Sequence, residues 1–420
     1  MIRIWKECRI CGSPLLPVMT LGDQYIAGYI SDNKKFKFAD RKVPLTLMRC
    51  DTSYSHKSCG LVQLAHTCPS FILYRDYFYR SAINETMANH LYELADKAMA
   101  PLSLAEGSII VDIGANDGTL LKYIESLRDM QLIAFEPARN LMQYYIGSSI
   151  KGINNFFNAR DFATVAGSQK AGLIFSIAMF YDLEDPKLFV EDISKVLADD
   201  GVWVLEQSYL PLMLQQNAYD TLCHEHLEYY SLHVLEQLFS RFGLKVIDAY
   251  LNDTNGGSIQ LYVVKDCHVS TEDASERLYD LRLQEFEAGL DTSQPYEDFK
   301  SRVSHNCQKL KNFIRQEVGR EKKIFAYGAS TKGVVTLQAC DLDNNLIKAC
   351  ADRNPMKCGS MIGGLEIPII SEEEARAQKP DYFLILPWHF KDNFIEREKK
   401  FLENGGKFIM PIPEFEIIGA

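Results

Sequence analysis

Long apolar runs are missing from this chain of 420 residues. The densest, Leu173 to Phe180 and Tyr382 to Trp388, have the length of a strand, well short of the roughly 18 residues of a membrane span. The opening Met1-Ile2-Arg3-Ile4-Trp5-Lys6-Glu7-Cys8 lacks the apolar core of a secretory leader. Together these predict a soluble, cytoplasmic protein. Basic residues are in the minority. Lys and Arg number 45 against 56 Asp and Glu, a formal net charge of −11. That argues against a dedicated nucleic-acid binder, which carries a basic face. Internal repeats and low-complexity segments are absent. The 11 cysteines are an odd number in a long chain, so a disulfide framework is not expected. A metal site plus buried thiols is, with Cys267, Cys307, Cys340, Cys350 and Cys358 read as unpaired.

What is present is ordinary globular material, 47% apolar and 24% charged, which excludes a disordered chain or a coiled coil. At about 150 residues per domain the length predicts two or three domains. Residues 1 to about 68 are cysteine-rich and poor in helical periodicity. Residues 71–100 place Tyr92, Leu94, Ala95, Ala98 and Met99 at helical spacing. Strand and helix patterns then alternate, with strands expected at 108–113, 131–135, 172–177 and 201–206 and a final pair at 243–247 and 259–264. This alternation predicts a doubly wound parallel sheet. Residues 270–320 read as a helical connector, with Leu278, Leu281, Leu283, Phe286 and Leu290 on one buried face. A second αβ pattern follows, with strands near 323–328, 347–352, 381–386 and 407–411.

Four stretches carry chemistry. Cys8 and Cys11, two residues apart, can hold one edge of a zinc tetrahedron. Cys50 and Cys59 are the candidate second pair, with His56 and Cys68 as open alternatives. Gly12 and Gly60 follow cysteines, as in a knuckle where amides approach sulfur. The second stretch, Val111-Asp112-Ile113-Gly114-Ala115-Asn116-Asp117-Gly118-Thr119, ends a strand, turns on small residues and opens a helix. Such a helix N-terminus favours a carboxylate, and Glu136 before Pro137 ends the next strand where an acid can hold a ribose. Asn116 stands where a pyrophosphate loop needs its second glycine. The pattern therefore favours S-adenosylmethionine over NAD.

The third stretch, Cys223-His224-Glu225-His226, has its histidines two apart rather than four, so a zinc-protease helix is excluded. It reads either as a solvated polar turn or as a general base beside a carboxylate that orients the ring. The fourth, Tyr327-Gly328-Ala329-Ser330-Thr331-Lys332-Gly333, follows a strand and opens a helix. Its amides could cradle a phosphate, with Lys332 as a point charge. Asp352-Arg353-Asn354 ends the next expected strand.

In order and spacing, these stretches resemble the three-domain sugar C-methyltransferases. The resemblance also rests on Cys59-Gly60-Leu61-Val62-Gln63-Leu64, Tyr77-Phe78-Tyr79-Arg80-Ser81, Asn255-Gly256-Gly257-Ser258, Asp352-Arg353-Asn354-Pro355 and Leu386-Pro387-Trp388, and it covers almost the whole chain. It implies an α/β protein of three parts: a zinc-binding domain over 1–70, a Rossmann-like class I methyltransferase domain over 71–266, and over 267–420 a helical connector with a Rossmann-like nucleotide-sugar domain. Zinc would be structural, on Cys8, Cys11, Cys50 and Cys59. Asp112, Gly114, Asn116, Gly118, Glu136, Pro137, Ser81 and Asn158 would hold S-adenosylmethionine. Gly328, Ser330, Lys332, Asp352, Arg353, Asn255 and Trp388 would hold a nucleoside-diphosphate sugar.

The implied reaction is deprotonation at C3 of a 4-keto-6-deoxyhexose and attack of the enediolate carbon on the methyl group. His226 matches the family's base, with Glu225 as the assisting acid and His224 beside it. Tyr77 and Tyr79 belong to the segment that closes over the site. The chain departs from the family at Cys223, where a tyrosine is expected, and at Tyr181, where a histidine is expected. This paired exchange keeps a phenol in the pocket from the opposite wall. The Cys50–Cys59 loop is also longer than expected. A monomer or weak homo-oligomer suffices, with neither nucleic acid nor membrane as partner. The rival readings are methylation of a hydroxyl or amine on an activated sugar, an NAD-dependent sugar oxidoreductase, and a non-enzymatic zinc module. The last leaves both nucleotide-like loops without a role.

Overall fold

The computed structural model describes residues 2–27, 30–31, 41–75, 77, 79–268 and 275–419. Phe78 of the aromatic run lies outside the described residues, as does Met1. The described residues form an α/β protein with two large mixed sheets, a four-stranded antiparallel one and a two-stranded ribbon of Arg3–Ile4 with His66–Thr67.

The central sheet has seven strands in the order Leu244–Asn252, Ser258–Lys265, Leu197–Ser208, Ala171–Ile177, Ile109–Ile113, Gln131–Phe135 and Lys151–Ile153. The last five are parallel, and the first two form an antiparallel edge. Ile109–Ile113 is buried at every position, as a strand covered on both faces must be. Helix Glu85–Met99 covers one face through Ala88, Leu91, Leu94, Ala95, Ala98 and Met99, which recur every three or four residues. The order in which the chain adds strands reverses at Ile109–Ile113: the next strands are laid down on one side of it, then Ala171–Ile177 on the other. Ligands bind at such a switch point, outside the carboxyl ends of the strands.

The second large sheet runs Glu416–Ile418, Lys407–Met410, Tyr382–Ile385, Ile324–Tyr327, Cys350–Asp352, Ile367–Ser371, Met361–Ile362 and Ile30–Ser31. Its outermost strand comes from the N-terminal part of the chain. The N-terminal sheet is interlocked in the same way. Leu15–Tyr25, Lys42–Cys50 and Val62–Leu64 are joined by Glu228–Tyr229, three residues past Glu225. Within Lys42–Cys50, Val43, Leu45 and Leu47 alternate into the core with a period of two.

The connector is helical, as Glu276–Glu287 and Gln294–Gly319. Its buried face differs from the expected one. Leu278 and Leu281 are buried, but Leu283 and Phe286 are 44% and 83% exposed. At about 100° per residue, 278, 281 and 285 share a narrow stripe that 283 and 286 miss. The third member of the stripe is Glu285. Its buried carboxylate accepts from the Leu232 and His233 amides and the Tyr209 hydroxyl, and so caps helix Leu232–Ser240.

Candidate functional site

Four thiols meet beside the N-terminal sheet. The Sγ atoms of Cys8, Cys11, Cys50 and Cys59 all lie within 4.8 Å of one another. Cys8 is 3.5 Å from Cys59 and Cys11 is 3.4 Å from Cys50. Zinc–sulfur bonds of about 2.3 Å place tetrahedral sulfurs just under about 4 Å apart, so the set fits one zinc ion. Gly12 and Gly60 carry the positive φ, 75° and 78°, that such knuckles need. The alternative ligands are elsewhere. His56 is exposed, and Cys68 packs with Ile26, Val43 and Leu73. Four thiolates leave no open position, which makes the ion structural.

A cavity of about 870 Å³ lies at the switch point of the central sheet and reaches across to the C-terminal sheet. Asp112, Gly114, Asn116, Glu136, Pro137, Ser81 and Asn158 line its first end. Glu136 accepts from the Asn116 amide at 2.8 Å and the Ala138 amide at 2.7 Å, which fixes both oxygens. Burial pushes Glu136 and Asp112 up to about 7, with Glu136 adding to the shift at Asp112. Gly114 has φ 75°, and a Cβ there would stand 3.2 Å from Met179 Cγ. The loop is therefore open only because it is glycine. The Asn116 side chain ties this loop to the aromatic segment, accepting from the Ser81 amide and donating to the Tyr79 carbonyl. A recessed carboxylate held by amides, beside a backbone cradle and a helix N-terminus, suits the ribose and carboxylate of S-adenosylmethionine.

Two residues of the expected set do other work. Gly118 does not line the cavity. Its φ is 75° and its missing Cβ makes room for Tyr145 Cε1, which would be at 2.8 Å, while the Tyr145 hydroxyl donates to the Asn116 carbonyl. Asn158 borders the cavity, but its side chain caps helix Ala159–Ala166 by accepting from the Asp161 amide.

His226, Glu225, Tyr181, Tyr77 and Tyr79 line the middle of the cavity. His226 Nδ1 lies 2.9 Å from the Thr221 carbonyl oxygen. A carbonyl can only accept, so the proton sits on Nδ1 and the lone pair on Nε2. The orienting group is thus the Thr221 carbonyl and not Glu225. Burial, then the positive charge of Lys332, pushes His226 down to about 3, so the ring is neutral near pH 7. Burial pushes Glu225 up to about 7. The Tyr181 ring lies against His226 with centroids 4.3 Å apart. Tyr74 packs against Tyr77 and donates to the Glu225 carbonyl, while Asn140 holds the Tyr77 backbone from both sides.

Two members of the histidine stretch face away. His224 is buried with Nε2 3.1 Å from the Val43 carbonyl, so it fastens the stretch to the N-terminal sheet. Cys223 is fully buried and does not line the cavity.

The far wall comes from the C-terminal sheet. Gly328, Ser330, Lys332, Asp352 and Arg353 line it, together with Asn255 from the hairpin of the central sheet. Ser330 caps helix Thr331–Ala339. Asp352 accepts from the Ala329 and Asn354 amides, and so shapes the loop. Trp388 does not reach the cavity. Its Nε1 donates to Asp220 at 2.9 Å, and its ring fills the space a Cβ on Gly256 would need. The neighbouring His389 lines the cavity instead. Asp182 and Tyr74 also line it without having been expected. Asp182 follows the strand at the switch point, a position that could have flagged it. Tyr74 had no such signal.

Comparisons with known proteins agree with this architecture. Residues 8–74 match a family model described as "Putative zinc binding domain", 83–249 a "Methyltransferase domain" and 253–413 a "C-methyltransferase C-terminal domain". The C-methyltransferase NovU of Streptomyces niveus is 30% identical over 423 residues, spanning 100% of this chain and 98% of that one. Among solved structures, a chain of the "Complex between the Haloferax volcanii Trm112 methyltransferase activator and the putative methyltransferase" is 15% identical, with 44% of this chain and 94% of that one covered at a TM-score of 0.36. CalO1, a methyltransferase in calicheamicin biosynthesis, is 14% identical, with 43% and 54% covered at a TM-score of 0.33. The full-length match and the three family models share one order along the chain, and the chain belongs to the S-adenosylmethionine-dependent C-methyltransferases that carry a zinc-binding domain in front and a dedicated C-terminal domain behind.

Proposed function

We propose that this enzyme methylates C3 of a nucleoside-diphosphate-linked 4-keto-6-deoxyhexose in branched deoxysugar synthesis. The observation that carries the reading is the His226 ring, whose Nδ1 is committed to Thr221 while the ring borders the cavity that also holds the donor cradle. A carbon beside a ketone becomes a nucleophile once a base removes its proton. His226 Nε2 is that base. It starts as a weak one, and its basicity rises as negative charge builds on the nearby sugar oxygen. Glu225, Tyr181 and one of Tyr77 and Tyr79 orient the hexose.

Asp112, Gly114, Asn116, Glu136, Pro137 and Ser81 hold S-adenosylmethionine. When bound it supplies an electrophilic methyl group on a sulfonium. The aromatic side chains of Tyr74, Tyr77 and Tyr79 keep water from quenching the carbanion. Gly328, Ser330, Asp352 and Arg353 hold the nucleoside diphosphate. The parts are taken as 1–70 for zinc, 71–266 for the methyl donor and 267–420 for the nucleotide sugar. The enzyme would act in the cytoplasm as a monomer or weak homo-oligomer.

The test is solvent exchange. TDP- and GDP-linked 4-keto-6-deoxyhexoses are incubated with the enzyme in deuterated water without methyl donor. The C3 proton signal should disappear with one of the two sugars. His226→Asn should slow this exchange by about 100-fold or more while S-adenosylmethionine binding is retained. Methyl transfer to a hydroxyl or amine with no exchange would sink the reading.

A further inference from the structure

Lys332 is the least expected group at the junction of the two large sheets. It stands at the second position of helix Thr331–Ala339, where a phosphate-binding lysine would reach outward. Here its side chain turns inward. Nζ donates to the carbonyl of Asn255, on the hairpin of the other sheet. Asn255 offers that carbonyl from a left-handed conformation, with φ 55°. The helix packs against the turn Tyr219–Thr221, which supplies both Asp220 and the carbonyl that holds His226.

One ammonium is thus surrounded by groups from both sheets. The titratable groups facing it are Asp220, Cys223, His226 and His389. Asp220 spends one oxygen on Trp388, and its other oxygen has no hydrogen-bond partner. The charge on Lys332 lowers both His226 and His389, after burial. A single hydrogen bond to Asn255 leaves two N–H donors of the ammonium for a ligand in the cavity it lines.

A diphosphate has other partners at the rim. Arg353 is exposed there, and Lys357 lies 3.5 Å from Asp352 in the same loop. Both border the cavity, near the capped start of the helix at Ser330. Arg353 thus offers a phosphate a solvent-facing charge, while the Lys332 ammonium lies at the junction of the sheets, beside the turn that holds the base.

We propose that Lys332 is a catalytic residue that stabilises the negative charge on the substrate's carbonyl oxygen while His226 removes the neighbouring proton. This rests on the keto-sugar reading above. His226 Nε2 takes the C3 proton, and the C3–H electron pair becomes the C3–C4 double bond. The carbonyl π pair moves onto oxygen, where the Lys332 ammonium donates a hydrogen bond and keeps its proton. Charge is conserved, with imidazolium and enolate formed together. A donor aimed at developing charge in a water-poor site is worth far more than in water.

The experiment measures deuterium exchange into TDP- and GDP-linked 4-keto-6-deoxyhexoses by wild type, Lys332→Gln and Lys332→Met. Either variant suffices if the other fails to fold. Calorimetry with TDP and GDP is run alongside. We expect exchange to fall by about 100- to 1,000-fold in the neutral variants, with nucleoside diphosphate affinity unchanged. The acid limb of the pH profile of exchange should move upward, because His226 loses a neighbouring positive charge. Exchange at the wild-type rate overturns the proposal. So does a nucleoside diphosphate Kd raised by about tenfold or more with saturated exchange intact, which would make Lys332 a phosphate ligand. Absence of exchange in wild type overturns the keto-sugar reading itself, and the role of Lys332 with it.

Discussion

Asp112 is the penultimate residue of a strand that is buried at every position, and burial pushes its carboxyl from 3.8 up to about 7. In that window the folded chain binds a proton that the unfolded chain has lost, so this group's contribution to stability falls as pH rises. Asp112→Asn removes the titration. Without ligand, the Tm of the variant relative to wild type should rise between about pH 4 and about pH 7. A flat difference would show that Asp112 does not titrate there. Glu136 makes the complementary case. Its carboxylate is already positioned by two amides before any ligand arrives. Glu136→Ala should weaken S-adenosylmethionine binding by roughly 1–3 kcal/mol, read by calorimetry. An unchanged Kd would remove it from the site. Asp112, Gly114 and Glu136 were legible in the sequence because strand ends at a switch point project ligand-facing residues. His224 and Trp388 were not. Their residue types suit catalysis, and only their neighbours Val43 and Asp220 reveal structural roles.

Among elements, the hairpin turn Thr254–Gly256 and the zinc knuckle both act at a distance. Gly256 has φ 84°, and a Cβ there would come within 2.8 Å of Trp388. Gly256→Ala combines backbone strain with a clash and should cost about 1–3 kcal/mol of stability. Thermal unfolding checks the loss, and a wild-type Tm would contradict it. In the knuckle, Arg9 lies between Cys8 and Cys11, and its guanidinium is 3.4 Å from Glu228 with both side chains buried. Glu228 opens the strand that follows the histidine stretch. Stripping zinc with a chelator should therefore reduce turnover as well as Tm, while readdition of about one zinc per chain restores both. Unchanged turnover in the metal-free protein would confine the ion to its own sheet. Most parallel strands of the two large sheets were legible as short apolar runs, but Lys151–Ile153 and Ile367–Ser371 were not expected. Leu15–Tyr25 and Lys42–Cys50 were not, because half of an antiparallel strand faces outward and its partners are remote in sequence.

Across the whole molecule, the N- and C-terminal sheets each take in a strand from another part of the chain instead of merely touching their neighbours. Ile30–Ser31 extends the C-terminal sheet, and Glu228–Tyr229 completes the N-terminal one. Trp388, Asp220, Lys332 and Asn255 then lock the two large sheets together around the cavity. Among the described residues, no helix is long and apolar enough to cross a membrane. The sequence by itself determined the chemistry on offer: a four-thiol metal set, a glycine loop with an acid at the next strand end, a histidine beside a carboxylate, and a second strand–loop–helix unit. Those are local, since spacing along the chain decides what one turn or strand end can present. Which of these groups share a cavity was decided by the tertiary structure alone. Burial and electrostatic neighbours come from segments distant in sequence, as when burial and then the inward-turned Lys332 keep His226 neutral, and the Val43 carbonyl takes His224 out of the site.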